Sequence, residues 1–97
     1  MFGSSGYHSI AAAERFSEGQ RLLRAGDYEA AVQQFSSALT FDPDHWTAYF
    51  RRSKAYRHLG LEERANADLD RAEFLMAAAR REAAERGDIS GWHRDRQ

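Results

Sequence analysis

The chain has 97 residues, 42% of them hydrophobic, with 14 lysines and arginines against 15 aspartates and glutamates. That length holds one domain with a modest core, and a net charge of -1 offers no basic field of the kind nucleic-acid binders use. The absence of cysteine excludes disulfides, thiolate metal sites and cysteine nucleophiles.

No run approaches the roughly 20 apolar residues of a membrane helix. The start, MFGSSGYHSI, has neither the basic opening nor the apolar stretch of a signal peptide. The expected setting is the cytoplasm, without a membrane or nucleic-acid partner.

In chain order, residues 1–8 are expected to form a flexible N-terminal segment, because Gly3-Ser4-Ser5-Gly6 reads as a linker or a cloning scar. A first helix is predicted over residues 9–25, ended by Gly26, a residue that readily takes the left-handed conformation. A second, over 28–41, carries Ala31, Val32, Phe35, Ala38 and Leu39 at three- and four-residue steps, with Asp27 as its N-cap. Pro43, in Phe41-Asp42-Pro43-Asp44, cannot continue a helix and marks the middle break. A third helix, over 45–59, has Trp46, Tyr49, Phe50 and Tyr56 along one side with Ala48 and Ala55 nearby, Asp44 as its cap and Gly60 after it. The fourth, over 61–86, starts with Leu61 where Asp27 stood, so a looser beginning is expected. A domain over 9–86 follows, then a polar tail over 87–97 containing an isolated tryptophan, Trp92.

The segments repeat. An offset of 34 residues pairs Gly26 with Gly60, Phe16 with Phe50, Leu22 with Tyr56, Ala31 with Ala65, Phe35 with Leu69, Ala38 with Ala72 and Phe41 with Leu75. It also pairs two small residues, Gly19 and Ser53, where helices would cross closely. Large meets large and small meets small, the signature of stacked supersecondary units. The expected fold is an all-α, two-repeat solenoid of four antiparallel helices, with repeats at about 12–45 and 46–79 and the last helix extended to 86.

The run GDYEAAVQQFSSALTFDPDH resembles the second half of a tetratricopeptide repeat (TPR), including Gly26, Tyr28, Ala31, Phe35, Ala38 and Pro43. The second copy retains Tyr49, Ser53, Tyr56, Gly60, Ala65, Leu69 and Ala72, so the resemblance covers about residues 12–79. The chain departs from the family pattern in having Arg15 and Tyr49 at the usual tryptophan position. It also has Ala77 where the first copy has Pro43, which lets the fourth helix run on.

No catalytic or metal-binding pattern is present. The four histidines, His8, His45, His58 and His93, include no i,i+4 pair, and neither HExxH, GxSxG nor a glycine-rich phosphate loop occurs. Asp42 and Asp44 around Pro43 are assigned to turn and cap formation. No cofactor and no enzymatic activity are expected.

In TPR proteins ligand peptides lie against the first helix of each repeat. The resemblance therefore implies a groove of Phe16, Gln20 and Arg24 from the first helix with Thr47, Phe50, Arg51, Lys54, Arg57 and His58 from the third. Phe50, Lys54 and His58 follow one another at four-residue steps, which makes one side of the third helix basic. Two readings stand: an ordinary solvated face, or a groove for an acidic or C-terminal peptide anchored at Phe16 and Phe50. The carboxylate clamp of chaperone-binding family members is not supported, since Phe16, Gln20 and Arg51 stand at the matching places. Ala72, Met76, Ala79 and Ala83 share a face of the overrunning fourth helix, either a solvated cap or a self-association surface. The expected function is a non-catalytic scaffold with a protein or peptide partner; the alternative is a self-assembly module forming a homo-oligomer.

Overall fold

The structure, a computed structural model, describes the backbone of residues 2–86 and the side chains from His8 onward. The polar tail expected over 87–97, with Trp92 and His93, lies outside the described residues. The described residues form four helices: α1 (Phe2–Ala25), α2 (Tyr28–Phe41), α3 (Trp46–His58) and α4 (Glu62–Glu85). The described residues contain no strand. Short connections turn α2 back on α1 and α4 back on α3, and the two hairpins stack through α2 and α3. This is a TPR-like helical repeat.

The 34-residue period is visible bond by bond. After α1, Gly26 adopts φ +82° while its N–H donates to Leu23 O at 3.1 Å and the Asp27 N–H donates to Leu22 O at 2.9 Å. After α3, Gly60 adopts φ +77°, its N–H donates to Arg57 O at 3.0 Å, and the Leu61 N–H donates to Tyr56 O at 2.9 Å. Both are Schellman endings, in which the left-handed residue lets two amides satisfy carbonyls of the last turn.

Three local expectations are corrected. Asp27 and Leu61 occupy the N-cap positions of α2 and α4 with nearly the same backbone, φ −93° against −95°, and neither side chain makes a capping bond. The start of α4 therefore lacks nothing that α2 has. Asp44 does not cap α3, which begins at Trp46 and leaves Asp44 one residue too early. The cap is His45, whose Nδ1 accepts from the Ala48 N–H at 3.3 Å, while Asp42 Oδ1 accepts from the Asp44 N–H at 3.2 Å within the turn. Finally, α1 begins at Phe2 and includes most of the segment expected to be flexible. The His8 ring lies 6.0 Å from that of Phe41, so packing reaches the second turn, and each further residue adds a hydrogen bond to a helix already nucleated.

At the centre Phe35 is wholly buried with Ala31 and Ala55, surrounded by Phe16, Leu22, Leu23, Tyr28 and Val32. Helix α1 crosses this ring at Gly19, where an added Cβ would lie 2.6 Å from Phe35 Cε1. In the second hairpin Ser53 takes the place of Gly19 and Leu69 that of Phe35, a small increase matched to a decrease. Helix α3 fills the seam between α1 and α2 with two fully buried alanines, Ala48 and Ala55. Its ends are fixed by rings: His45 lies 4.8 Å from Phe16, and His58 stacks on Tyr28 at 4.3 Å and 2°.

One polar link joins three helices. Arg52 Nε and Nη2 donate to the two carboxylate oxygens of Asp68 at 2.7 and 2.8 Å, and Nη1 donates to Ser36 Oγ at 2.9 Å. The side chains are 18% and 8% exposed, and the rings of Tyr49 and Tyr56 lie 5.6 and 5.5 Å from the guanidinium carbon. The hydrogen bonds to Asp68 hold the Arg52 guanidinium above its ordinary value despite its desolvation, so it stays charged throughout the working pH range.

Three substitutions test this packing by chemical denaturation. Phe35→Ala is expected to cost about 3–5 kcal/mol, and an unchanged midpoint would place the ring outside the core. Gly19→Ala is expected to cost about 1–3 kcal/mol through overpacking, and combining it with Phe35→Leu should cost less than the sum of the two changes. Asp68→Ala leaves a largely buried guanidinium without its partner and is expected to cost about 3–5 kcal/mol.

Candidate protein-interaction surface

Helix α3 has two working sides. One, with Ala48 and Ala55, is spent in the first hairpin. The other carries Trp46, Phe50, Ser53 and Arg57 at steps of four, three and four residues, which places them in one line along the helix. Facing it, α4 presents Leu69, Ala72 and Met76 at steps of three and four. Between the lines run two open cavities. One is lined by Phe50, Ser53, Lys54, Arg57, His58 and Leu69, the other by Trp46, Phe50, Leu69, Ala72, Glu73 and Met76. They share Phe50 and Leu69 and so form one continuous seam.

The seam is the counterpart, one repeat on, of the seam that α3 fills in the first hairpin. Ala12 there is 1% exposed, whereas Trp46 at the equivalent position here is 37% exposed. Among the described residues, α3 lies against the first seam and no helix lies against the second.

Its electrostatics are uneven. Lys54 Nζ lies 5.1 Å and the Arg51 guanidinium 5.8 Å from the Phe50 ring centroid, so that aromatic is flanked by two cations. Lys54, Arg57 and His58 gather towards the end of α3, while Glu73 lies towards the other end. Ser53 Oγ is already engaged, donating to Phe50 O at 2.6 Å. The cationic end can hold carboxylates, and the Trp46, Leu69 and Met76 end can hold apolar side chains.

Of the groove residues expected from sequence, Phe50, Lys54, Arg57 and His58 come together in one cavity. Phe16 does not join them: it packs between the hairpins, 5.7 Å from the Phe35 ring and against His45. Gln20 is half-buried and Arg24 exposed on α1, and neither lines the seam. Thr47 and Arg51 are half-buried outside it, with the Arg51 Nε buried and lacking a hydrogen-bond partner among the described residues. Of the four self-association candidates, Ala72 and Met76 form the seam's floor, Ala72 being almost fully buried, while Ala79 is exposed and Ala83 half-buried further along α4. The outward aromatic of α4 is instead Phe74, 58% exposed beside Arg71.

Sequence reasoning missed Trp46, Leu69 and Glu73 as lining residues. The signal was available, because the repeat offset maps them onto Ala12, Phe35 and Leu39, all buried in the first hairpin. Elsewhere, the outer side of α1 offers a shallow depression of Ile10, Ala13, Glu14, Ser17, Glu18 and Arg21, crossed by an exposed Arg21–Glu18 ion pair at 2.6 Å. No group of the described residues is arranged to hold a metal ion, and none of the described helices is long and apolar enough to cross a membrane.

The chain matches no family model, and no solved structure matches it significantly. Among curated proteins it is 40% identical over 53 residues to rat (Rattus norvegicus) DnaJ homolog subfamily C member 3, covering 55% of this chain and 10% of that protein. It is 35% identical over 65 residues to a tetratricopeptide repeat and J domain-containing co-chaperone, DNJ1, of Cryptococcus neoformans, covering 67% of this chain and 12% of that one. It is 42% identical over 48 residues to outer dynein arm-docking complex subunit 4 of Danio rerio, covering 50% and 10%. The chain thus spans about a tenth of the length of the curated relatives it matches.

Proposed function

We propose that this chain is a non-catalytic scaffold that binds another protein through the α3–α4 seam. The observation that carries the reading is the contrast between equivalent seams: one is filled by α3, and the other leaves Trp46, Phe50 and Met76 accessible beside Lys54, Arg57 and His58. Contiguous apolar surface rimmed by charge is the usual character of an interaction site. The names of two similar proteins, a co-chaperone and a docking-complex subunit, support an assembly role. The apolar floor supplies anchoring and the cations select an acidic partner. This moves the groove expected from the family resemblance away from α1: its α3 wall stays, and α4 replaces Phe16, Gln20 and Arg24.

The test is fluorescence anisotropy with a labelled acidic peptide bearing one aromatic anchor. Lys54→Glu combined with Arg57→Glu is expected to weaken binding about tenfold or more. The thermal midpoint should be unchanged, since both side chains are exposed. Equal binding by both proteins discards the cationic seam as the site.

A further inference from the structure

The molecule contains a worked example of what fits such a seam. In the first hairpin the occupant is α3, and three residues make the fit. Ala48 and Ala55, seven apart, are fully buried, and Arg52 between them reaches Ser36 on α2. The pattern is small, three residues, basic, two residues, small. It brings two methyl groups down onto the seam and sends one long donor to the neighbouring helix.

Carried forward one repeat, the Ser36 and wall positions have counterparts, while Asp68, which Arg52 also pairs with, belongs to the hairpin of the incoming helix itself. Ser36 becomes Asp70, exposed on α4, so a basic residue at the middle position would meet a carboxylate instead of a hydroxyl. Gln20, Leu23 and Arg24 become Lys54, Arg57 and His58, so the wall carries one arginine in the first seam and both a lysine and an arginine in the second. From this, and resting on the reading of the seam as the binding surface, we infer that the partner docks as an amphipathic α-helix lying antiparallel to α4. It carries the small-x3-basic-x2-small pattern towards the floor and carboxylates in its second half towards Lys54 and Arg57.

A second copy of this chain does not meet that description. In a head-to-tail stack the incoming helix would be α1, whose Glu14, Glu18 and Arg21 stand where Ala48, Arg52 and Ala55 stand in α3. Two long charged side chains would replace the buried methyls, and Glu18 would face Asp70, like charge on like. The segment 87–97 contains no small-x3-basic-x2-small match, and its Arg94 and Arg96 are offset by Asp88 and Asp95.

The experiment uses the full chain and a labelled synthetic helix with alanines and an arginine in the stated pattern and glutamates on the flank. Two peptide controls accompany it: one with a central proline, of equal charge but unable to form the helix, and one with its arginine replaced by glutamate. The helical peptide is expected to bind, and the proline peptide to bind about tenfold or more weakly. Asp70→Lys, at an exposed position, should weaken the arginine peptide about tenfold and favour the glutamate peptide instead, a charge swap that loss of folding would not produce. Met76→Arg should weaken both. Equal binding of the helical and proline peptides overturns the helical partner while leaving an acidic-peptide scaffold intact, whereas no binding of either removes both readings. Concentration-dependent mass abolished by Met76→Arg would assign the seam to a second copy, and a tenfold gain in peptide affinity on deleting residues 87–97 would assign it to the chain's own tail. Either result overturns the inference.

Discussion

The architecture depends on how closely helices can approach at their crossings. Gly19 lies flush against Phe35, with no room for even a methyl group, and Ala31, Ala48, Ala55 and Ala65 are fully buried where helix meets helix. Small side chains at the crossings bring the backbones near enough for one aromatic ring to fill the remaining space. The second hairpin solves the same problem with other volumes, Ser53 against Leu69. The period is therefore a rule about summed volume at each crossing rather than about residue identity.

Crossings made of alanine and glycine are close but carry little that is directional. The Arg52 guanidinium supplies direction, tying α3 to α4 through both oxygens of Asp68 and reaching α2 through Ser36. Its position between the rings of Tyr49 and Tyr56 covers the charge without burying it unpaired. The ion pair of the same length of reach on α1, between Glu18 and Arg21, joins neighbours on one helix in open solvent and orients nothing. Two arginines in salt bridges thus have different roles, separated by burial and by which elements they connect.

The two ends of the stack differ. On α1, Glu14, Glu18 and Arg21 occupy the positions that Ala48, Arg52 and Ala55 hold on α3, so charge stands there where α3 buries two methyl groups. At the α4 end the seam keeps its apolar floor and gains cations along one wall. A repeat protein buries its surface one neighbour at a time, and the surface left over is the one available for a partner. The proposed scaffold role follows from that asymmetry.

Much of this was legible in the residues. The helix count, the glycine endings at Gly26 and Gly60, the burial of Phe35 and the likeness of Ala31 to Ala65 all follow from local periodicity and from the offset between repeats, because capping chemistry and helical faces are set by residues close in the chain. The overrun of α4 to Glu85 was equally legible from the missing proline at Ala77. Local reasoning failed where two candidates competed over one or two residues, as when His45 took the cap assigned to Asp44. It also failed where a contact joins distant segments. Nothing near Arg52 or Asp68 announces that they pair across sixteen positions, and nothing near Phe16 says that its ring packs against Phe35 and His45. By itself the sequence determined the repeat and its helices; the tertiary structure decided which equivalent face is filled and which is left open, because that depends on whether a neighbouring helix is there to cover it.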